Sequence, residues 1–230
     1  MRVHFIDAGF YHGDTTRMFR DLCRGLGLDY AIDAFEAHPA IYAEHAGGFS
    51  EDPAIHVHQV ALGETDGPVP LFLSQRPSGH SLRADRDFVR KRQDKQPVSV
   101  TVPGIRLSTW LRGQLSAGCD LRILKLNIEG AEWRVLEDLA SAGLHTAIDL
   151  YLGTPGAESD IHKIQAYRGR YDQYVGFCEV HGIFMQRFTS WQPERNYDLA
   201  GYLRRAQRLF AAGDPGWRHE LRKEPSSTGG

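Results

Sequence analysis

Long hydrophobic runs, paired cysteines and an excess of charge of one sign are all missing from this 230-residue chain. No stretch approaches the ~20 apolar residues of a membrane span, and the polar start Met1-Arg2 passes directly into a strand-like segment rather than a leader peptide. The expectation is a cytoplasmic protein with no membrane partner. Cys23, Cys119 and Cys178 stand far apart with no Cys-x-x-Cys pair, which argues against a disulfide framework or a zinc knuckle and fits a reducing compartment. A net charge of -2 supplies no basic field of the kind non-specific nucleic-acid binding needs, so no nucleic-acid partner is expected. Internal repeats are absent, and low complexity is confined to a disordered tail expected at residues 225–230.

What is present suffices for one large core. With 41% hydrophobic residues, a single domain over residues 1–224 is expected. Short apolar strands alternate with amphipathic helices, which argues for an α/β fold with a mostly parallel sheet covered on both faces. Strands are read over residues 2–7, 30–35, 55–60, 121–126 and 147–152, the last with Asp149 inside it, and another over 182–188. Residues 161–181 suggest one long or broken helix, and 197–210 are either a strand leading into a helix or one helix throughout. The alternation breaks at about 64–103, where two antiparallel strands (69–73 and 98–102) flank a polar segment. That insertion carries Arg76, Arg83, Arg86, Arg90, Lys91, Arg92 and Lys95 against Asp85, Asp87 and Asp94. It reads either as a mobile lid with a positive face or as a solvated surface helix.

The most informative stretch is Phe5-Ile6-Asp7-Ala8-Gly9-Phe10-Tyr11-His12-Gly13-Asp14-Thr15-Thr16, a strand running through a glycine turn into a helix. Gly9 and Gly13 let the backbone approach a ligand, and Asp14, Thr15 and Thr16 offer capping oxygens to a helix whose free amides face the turn. The spacing is not Gly-x-Gly-x-x-Gly. A carboxylate at Asp7 repels a pyrophosphate and attracts the amine of a methionine moiety, which favours S-adenosylmethionine over a dinucleotide. Glu36 follows Gly13 by the ~20-residue interval at which an acidic residue accepts from ribose hydroxyls. Asp7, Glu36, Ala61 and Asn127 should converge at the carboxyl ends of their strands.

Together with Leu124-Lys125-Leu126-Asn127-Ile128-Glu129-Gly130-Ala131-Glu132, this stretch resembles the FkbM family of class I S-adenosylmethionine-dependent methyltransferases, largely O-methyltransferases. Phe35-Glu36-Ala37-His38-Pro39 and Val60-Ala61-Leu62-Gly63 fall in order between the two blocks, and the similarity runs from about residue 3 to 190. The resemblance implies a Rossmann-like class I methyltransferase fold with a β-hairpin or lid insertion after the third strand. It implies that Asp7, Gly9 and Gly13, with Tyr11 and Thr15 of the same turn, line the methionine end. Glu36 would hold the ribose, Ala37 and Ala61 flank the adenine, and Asn127 face the transferring methyl. S-adenosylhomocysteine would be the product.

Two departures from the family pattern matter. Its members usually carry aspartate where this chain has Asn127, and an amide orients a hydroxyl but is no base at neutral pH. They often have a glutamate and a histidine on the fifth strand, where this chain has Asp149 and Tyr151. Candidate bases are Glu129, Asp149, His12 and His80. Glu129 leads, with capping of the following helix as its alternative role. Magnesium on Asn127, Glu129 and Asp149 is chemically allowed but not favoured, and His56-x-His58 lacks a third zinc ligand.

The expected activity is methyl transfer to a hydroxyl of a small molecule in biosynthesis, a sugar or secondary metabolite. N-methylation of an amine, or cofactor binding without transfer, are the alternatives. With the first strand at the start of the sequence, no amino-terminal helices are expected over the site. The insertion and residues 191–202, or a neighbouring copy in a homo-oligomer, would then form the acceptor pocket.

Overall fold

A computed structural model describes residues 1–74, 79–85, 98–153, 170–188 and 196–222. Its centre is β1 (Arg2–Ala8), flanked in parallel by β2 (Asp29–Phe35) and β7 (Leu121–Leu126). Every residue of β7 is buried, as are Val3 to Ala8 of β1, as expected of strands covered on both faces. β3 (Ile55–His58), β8 (Leu150–Gly153) and β9 (Met185–Arg187) complete a six-stranded parallel sheet in the order β3-β2-β1-β7-β8-β9. Counting only the strands of this sheet, the order is 3-2-1-4-5-6, the doubly wound arrangement.

Helices cover both faces. On one face α1 (Asp14–Leu26), α6 (Leu199–Ala211) and α7 (Trp217–Arg222) set Phe19, Cys23, Leu203 and Leu221 against Val3, Phe5, Ile32 and Ile123. On the other, α3 (Leu107–Gln114), α4 (Glu132–Ser141) and α5 (Tyr171–His181) set Leu107, Leu111, Leu136 and Tyr174 against Ile6, Phe35, Leu124 and Tyr151. The short α2 (Pro39–His45) follows β2, with His38 accepting from Ile41 N at its start. The insertion forms a separate sheet in which β6 (Ser99–Ile105) lies between β4 (Ala61–Leu62), parallel to it, and β5 (Gly67–Phe72), antiparallel to it.

Two sequence expectations change and one open reading is decided. Residues 147–149 are not strand: a 3-10 turn (His145–Ala147) precedes β8, and Asp149 lies just before it. Of the two readings left open for 197–210 the structure has the helix, over residues 199–211, started by Asp198, whose carboxylate accepts from Gly201 N at 2.8 Å; residues 196–198 before it are not strand. Helix α1 is capped by Gly13, not by a side chain. Thr16 turns its hydroxyl to Asp7 and Asp14 pairs with Arg17. The basic cluster lies mostly outside the described residues, as do Trp191 and the tail at 225–230. Arg83 lies within them and pairs with Asp85.

One buried polar network ties the first three strands. His4 Nε2 and His58 Nε2 each donate to one oxygen of Asp33, at 2.9 and 2.7 Å, and Arg122 Nε donates to His4 Nδ1. Burial pushes the Asp33 carboxyl up, but the two imidazoles outweigh it and hold it down at about 2. A folded pKa below the unfolded one stabilises above that unfolded value, and the contribution disappears as pH falls through the folded pKa. Asp33 should therefore contribute about 2 kcal/mol near neutrality that is lost between about pH 4 and pH 2. Urea unfolding across that window should show a steeper loss of stability for the wild type than for Asp33→Asn; equal slopes would remove Asp33 from the acid response.

Candidate active site

The strand order reverses between β1 and β7, and there a cleft of about 280 Å³ opens at the carboxyl ends of β1, β2 and β7. Of the residues expected to meet a cofactor, Gly9, Tyr11, Thr15, Glu36, Ala37, Ala61 and Asn127 line this cleft, whereas Asp7 and Gly13 do not.

Asp7 is 0% exposed, and both its carboxylate oxygens are taken. Lys125 Nζ donates to Oδ1 at 2.8 Å and Thr16 Oγ1 donates to Oδ2 at 2.8 Å. Asp7 thus lies beneath the cleft and positions Lys125 instead of facing a ligand amine. Lys125 also donates to Gly9 O at 2.7 Å and reaches the cleft wall. Sequence reading missed this residue, although the signal existed: a lysine in an apolar strand and an aspartate in its neighbour, in register at Asp7↔Lys125.

The two glycines serve packing. At Gly9 (φ 92°) an added Cβ would collide with the Asn127 carbonyl, and at Gly13 (φ 77°) it would lie 2.6 Å from the Phe49 ring and 2.7 Å from that of Phe10. Gly9 is what allows the first turn to approach the end of β7.

Glu36 is buried at the cleft wall, its Oε2 accepting from Tyr11 N at 2.9 Å and its Oε1 from His38 N at 2.7 Å. Burial pushes its carboxyl up, and the amides of His38 and Tyr11 pull it back only in part. A carboxylate oxygen accepts more than one bond, so each retains capacity toward the cleft. Beside it Ala37 packs with Ala61, Leu71 and Leu82 in a small apolar cluster that joins the insertion to the main sheet.

The opposite wall is the turn after β7. Asn127 N donates to Ala8 O, and the Glu132 carboxylate spans the turn, accepting from Ile128 N at 2.8 Å and Gly130 N at 2.7 Å. Between these, Glu129 adopts a left-handed φ of 61° that non-glycine residues seldom hold. Ser81 Oγ of the insertion donates to Glu129 O at 2.6 Å. The Glu132 carboxylate thus holds the turn ahead of the helix it begins, the N-cap residue Ala131 makes no side-chain cap bond, and Glu129 lines the cleft. His80, stacked on His38 at 4.4 Å, and His12, stacked on Tyr11 at 3.6 Å, line it too.

Asp149 is elsewhere. It precedes β8 at the amino-terminal edge of the sheet, where it accepts from Arg122 N and pairs with Arg222 at 2.8 Å. It is not a catalytic candidate, and the set Asn127, Glu129 and Asp149 does not converge on a magnesium ion. Among the described residues no group of three or more His, Cys, Asp or Glu is placed to hold a metal. His58 is engaged by Asp33.

The arrangement offers a carboxylate acceptor, an ammonium, apolar walls and a second carboxylate within one crevice. A family model described as the Methyltransferase FkbM domain matches residues 7–190. The chain belongs to the FkbM methyltransferase family. A solved structure described as methyltransferase FkbM from Methylobacillus flagellatus KT is similar at 13% identity and a TM-score of 0.45. That similarity covers 77% of the present chain but only 37% of the other, so the FkbM domain described here spans well under half the length of that relative. No curated protein matches the chain.

Proposed function

We propose that this FkbM domain transfers methyl from S-adenosylmethionine to a hydroxyl of a small molecule. The observation that carries the reading is Glu36, a buried carboxylate fixed by two backbone amides in the same cleft as Glu129. The donor set suits such a cofactor. Glu36 would accept from the ribose hydroxyls, and Ala37, Ala61 and Leu62 would flank the adenine. Lys125, with one of its three N–H groups not committed to Asp7 or Gly9, and the first amides of α1 would meet the methionine carboxylate. The cofactor supplies an electrophilic methyl.

The chain's own residues align the nucleophile and manage its proton. Asn127 orients the acceptor hydroxyl through its amide, and Glu129 accepts the proton as the oxygen attacks. The Glu132 clasp and the Ser81 bond hold Glu129 in place. Glu129→Gln, which keeps shape but removes the base, should lower kcat by about 100-fold or more with little change in cofactor affinity. An unchanged kcat would remove Glu129 from the reaction. The reading as a whole is tested with methyl-labelled S-adenosylmethionine and panels of sugars, phenols and amines, the label being located in products by NMR. Label on oxygen supports it. Label on nitrogen favours the second reading, amine methylation, to which the uncharged Asn127 lends weight because an amine needs less help from a base.

A further inference from the structure

A second cavity, of about 610 Å³, lies at the opposite edge of the sheet, before the amino ends of β8 and β9. None of its described lining residues belongs to the cleft described above. Its walls come from the turn before β8, the end of α5, and helices α6 and α7.

Two buried polar atoms in this cavity have no hydrogen-bond partner among the described residues: Tyr202 Oη and His145 Nδ1. Tyr202 is 9% exposed, so its hydroxyl is withdrawn from solvent without compensation. Native structures seldom leave such a group unmatched, and each instance calls for a partner. Burial holds the Tyr202 phenol well above its ordinary pKa, so it stays a neutral donor. Burial, with His181 beside it, lowers the pKa of His145, which keeps that imidazole uncharged near neutrality.

The charge balance nearby is uneven. The Asp149 carboxylate faces two guanidinium groups, Arg222 at 2.8 Å and Arg218 at 4.0 Å, while its other oxygen accepts from Arg122 N. Among the described residues two guanidinium groups thus share one carboxylate, and Arg222, about half exposed, lines the cavity. Tyr202, Asp149 and Arg222 line the same cavity, which places the phenol on the wall that carries these charges. Rings make up much of the remaining wall. Tyr197 and Tyr202 meet edge-on at 5.9 Å, and Phe184 is 67% exposed, unusual for so large an apolar side chain lining a cavity.

We propose that this cavity binds a small planar ring bearing a carboxylate. The ring packs among Phe184, Tyr197 and Tyr202, and the carboxylate accepts from Tyr202 Oη and Arg222. A neutral ring brings no charged acceptor to Arg222, and a bare anion leaves the rings uncovered.

Benzoate, benzamide and acetate separate these requirements. Titrated into the full chain and followed by NMR shifts, benzoate should saturate, with benzamide and acetate each at least about tenfold weaker. Tyr202→Phe keeps the ring and removes only the unpaired hydroxyl. It should weaken benzoate about tenfold while the melting temperature of the free protein holds or rises. Phe184→Ala, at an exposed position, should weaken benzoate without unfolding the chain. Benzoate that fails to saturate, that binds no better than benzamide, or that binds Tyr202→Phe as tightly as the wild type would overturn the proposal.

Discussion

Replacing Glu36 with alanine should reduce affinity for S-adenosylhomocysteine by about 100-fold or more, equivalent to roughly 3 kcal/mol, as read by isothermal titration. Two losses combine. The ribose hydroxyls lose their charged acceptor, and the amides of Tyr11 and His38, which Glu36 holds at 2.9 and 2.7 Å, lose theirs. The second loss matters because Tyr11 sits at φ 51°, a left-handed conformation in the middle of the first turn, and Glu36 is one of the bonds that keep it there. Glu36→Gln separates the contributions. An amide keeps one acceptor oxygen but sets its own N–H groups against one of the two backbone donors, so it should bind the cofactor at an intermediate level. Because burial raises the Glu36 carboxyl above its ordinary pKa, cofactor affinity should also begin to fall, on acidification, at a higher pH than an unperturbed glutamate would give. If Glu36→Ala binds the cofactor as the wild type does, the cleft between β1 and β7 is not the cofactor site and the proposed reaction loses its basis.

Much of this site was legible from residue types at strand ends. An acidic residue after β2, a glycine turn after β1 and a polar turn after β7 meet because a parallel sheet delivers all its carboxyl ends to one edge, and the order of elements alone predicts that edge. The sequence did not say which side of the sheet each polar residue faces. Asp7 and Lys125 lie 118 positions apart and meet only through the register of β1 on β7, so Asp7 read as a ligand contact when it is a buried ion-pair partner. Glu129 and Glu132 differ by one helical step, and only the backbone shows that the second clasps the turn while the first adopts positive φ. Asp149 illustrates a third kind of ambiguity. A shift of the strand start to Leu150 placed it at the amino-terminal edge, the wrong end for chemistry on this fold. Periodicity fixes the period of a strand far better than its end.

The pair Asp7–Lys125 carries the other large expectation. Lys125→Met should cost roughly 3–5 kcal/mol of stability, because it leaves a carboxylate that is 0% exposed with, among the described residues, only the Thr16 hydroxyl as a side-chain partner. The same change frees Gly9 O, so the first turn loses its tie to β7 and cofactor affinity should fall with stability. Asp7→Asn/Lys125→Met removes both charges at once. Burying two neutral groups of similar volume avoids the unpaired ion, so the double variant should recover a large part of the lost stability in urea unfolding. It should not recover cofactor binding, since Lys125 also forms part of the cleft wall. That split distinguishes the two jobs of one residue: as a counter-charge Lys125 is replaceable by removing the charge it answers, whereas as a donor at the cleft it is not. If the single and double variants prove equally unstable, the pair is not what joins the end of β1 to β7. If the double variant binds cofactor as the wild type does, Lys125 serves the fold alone.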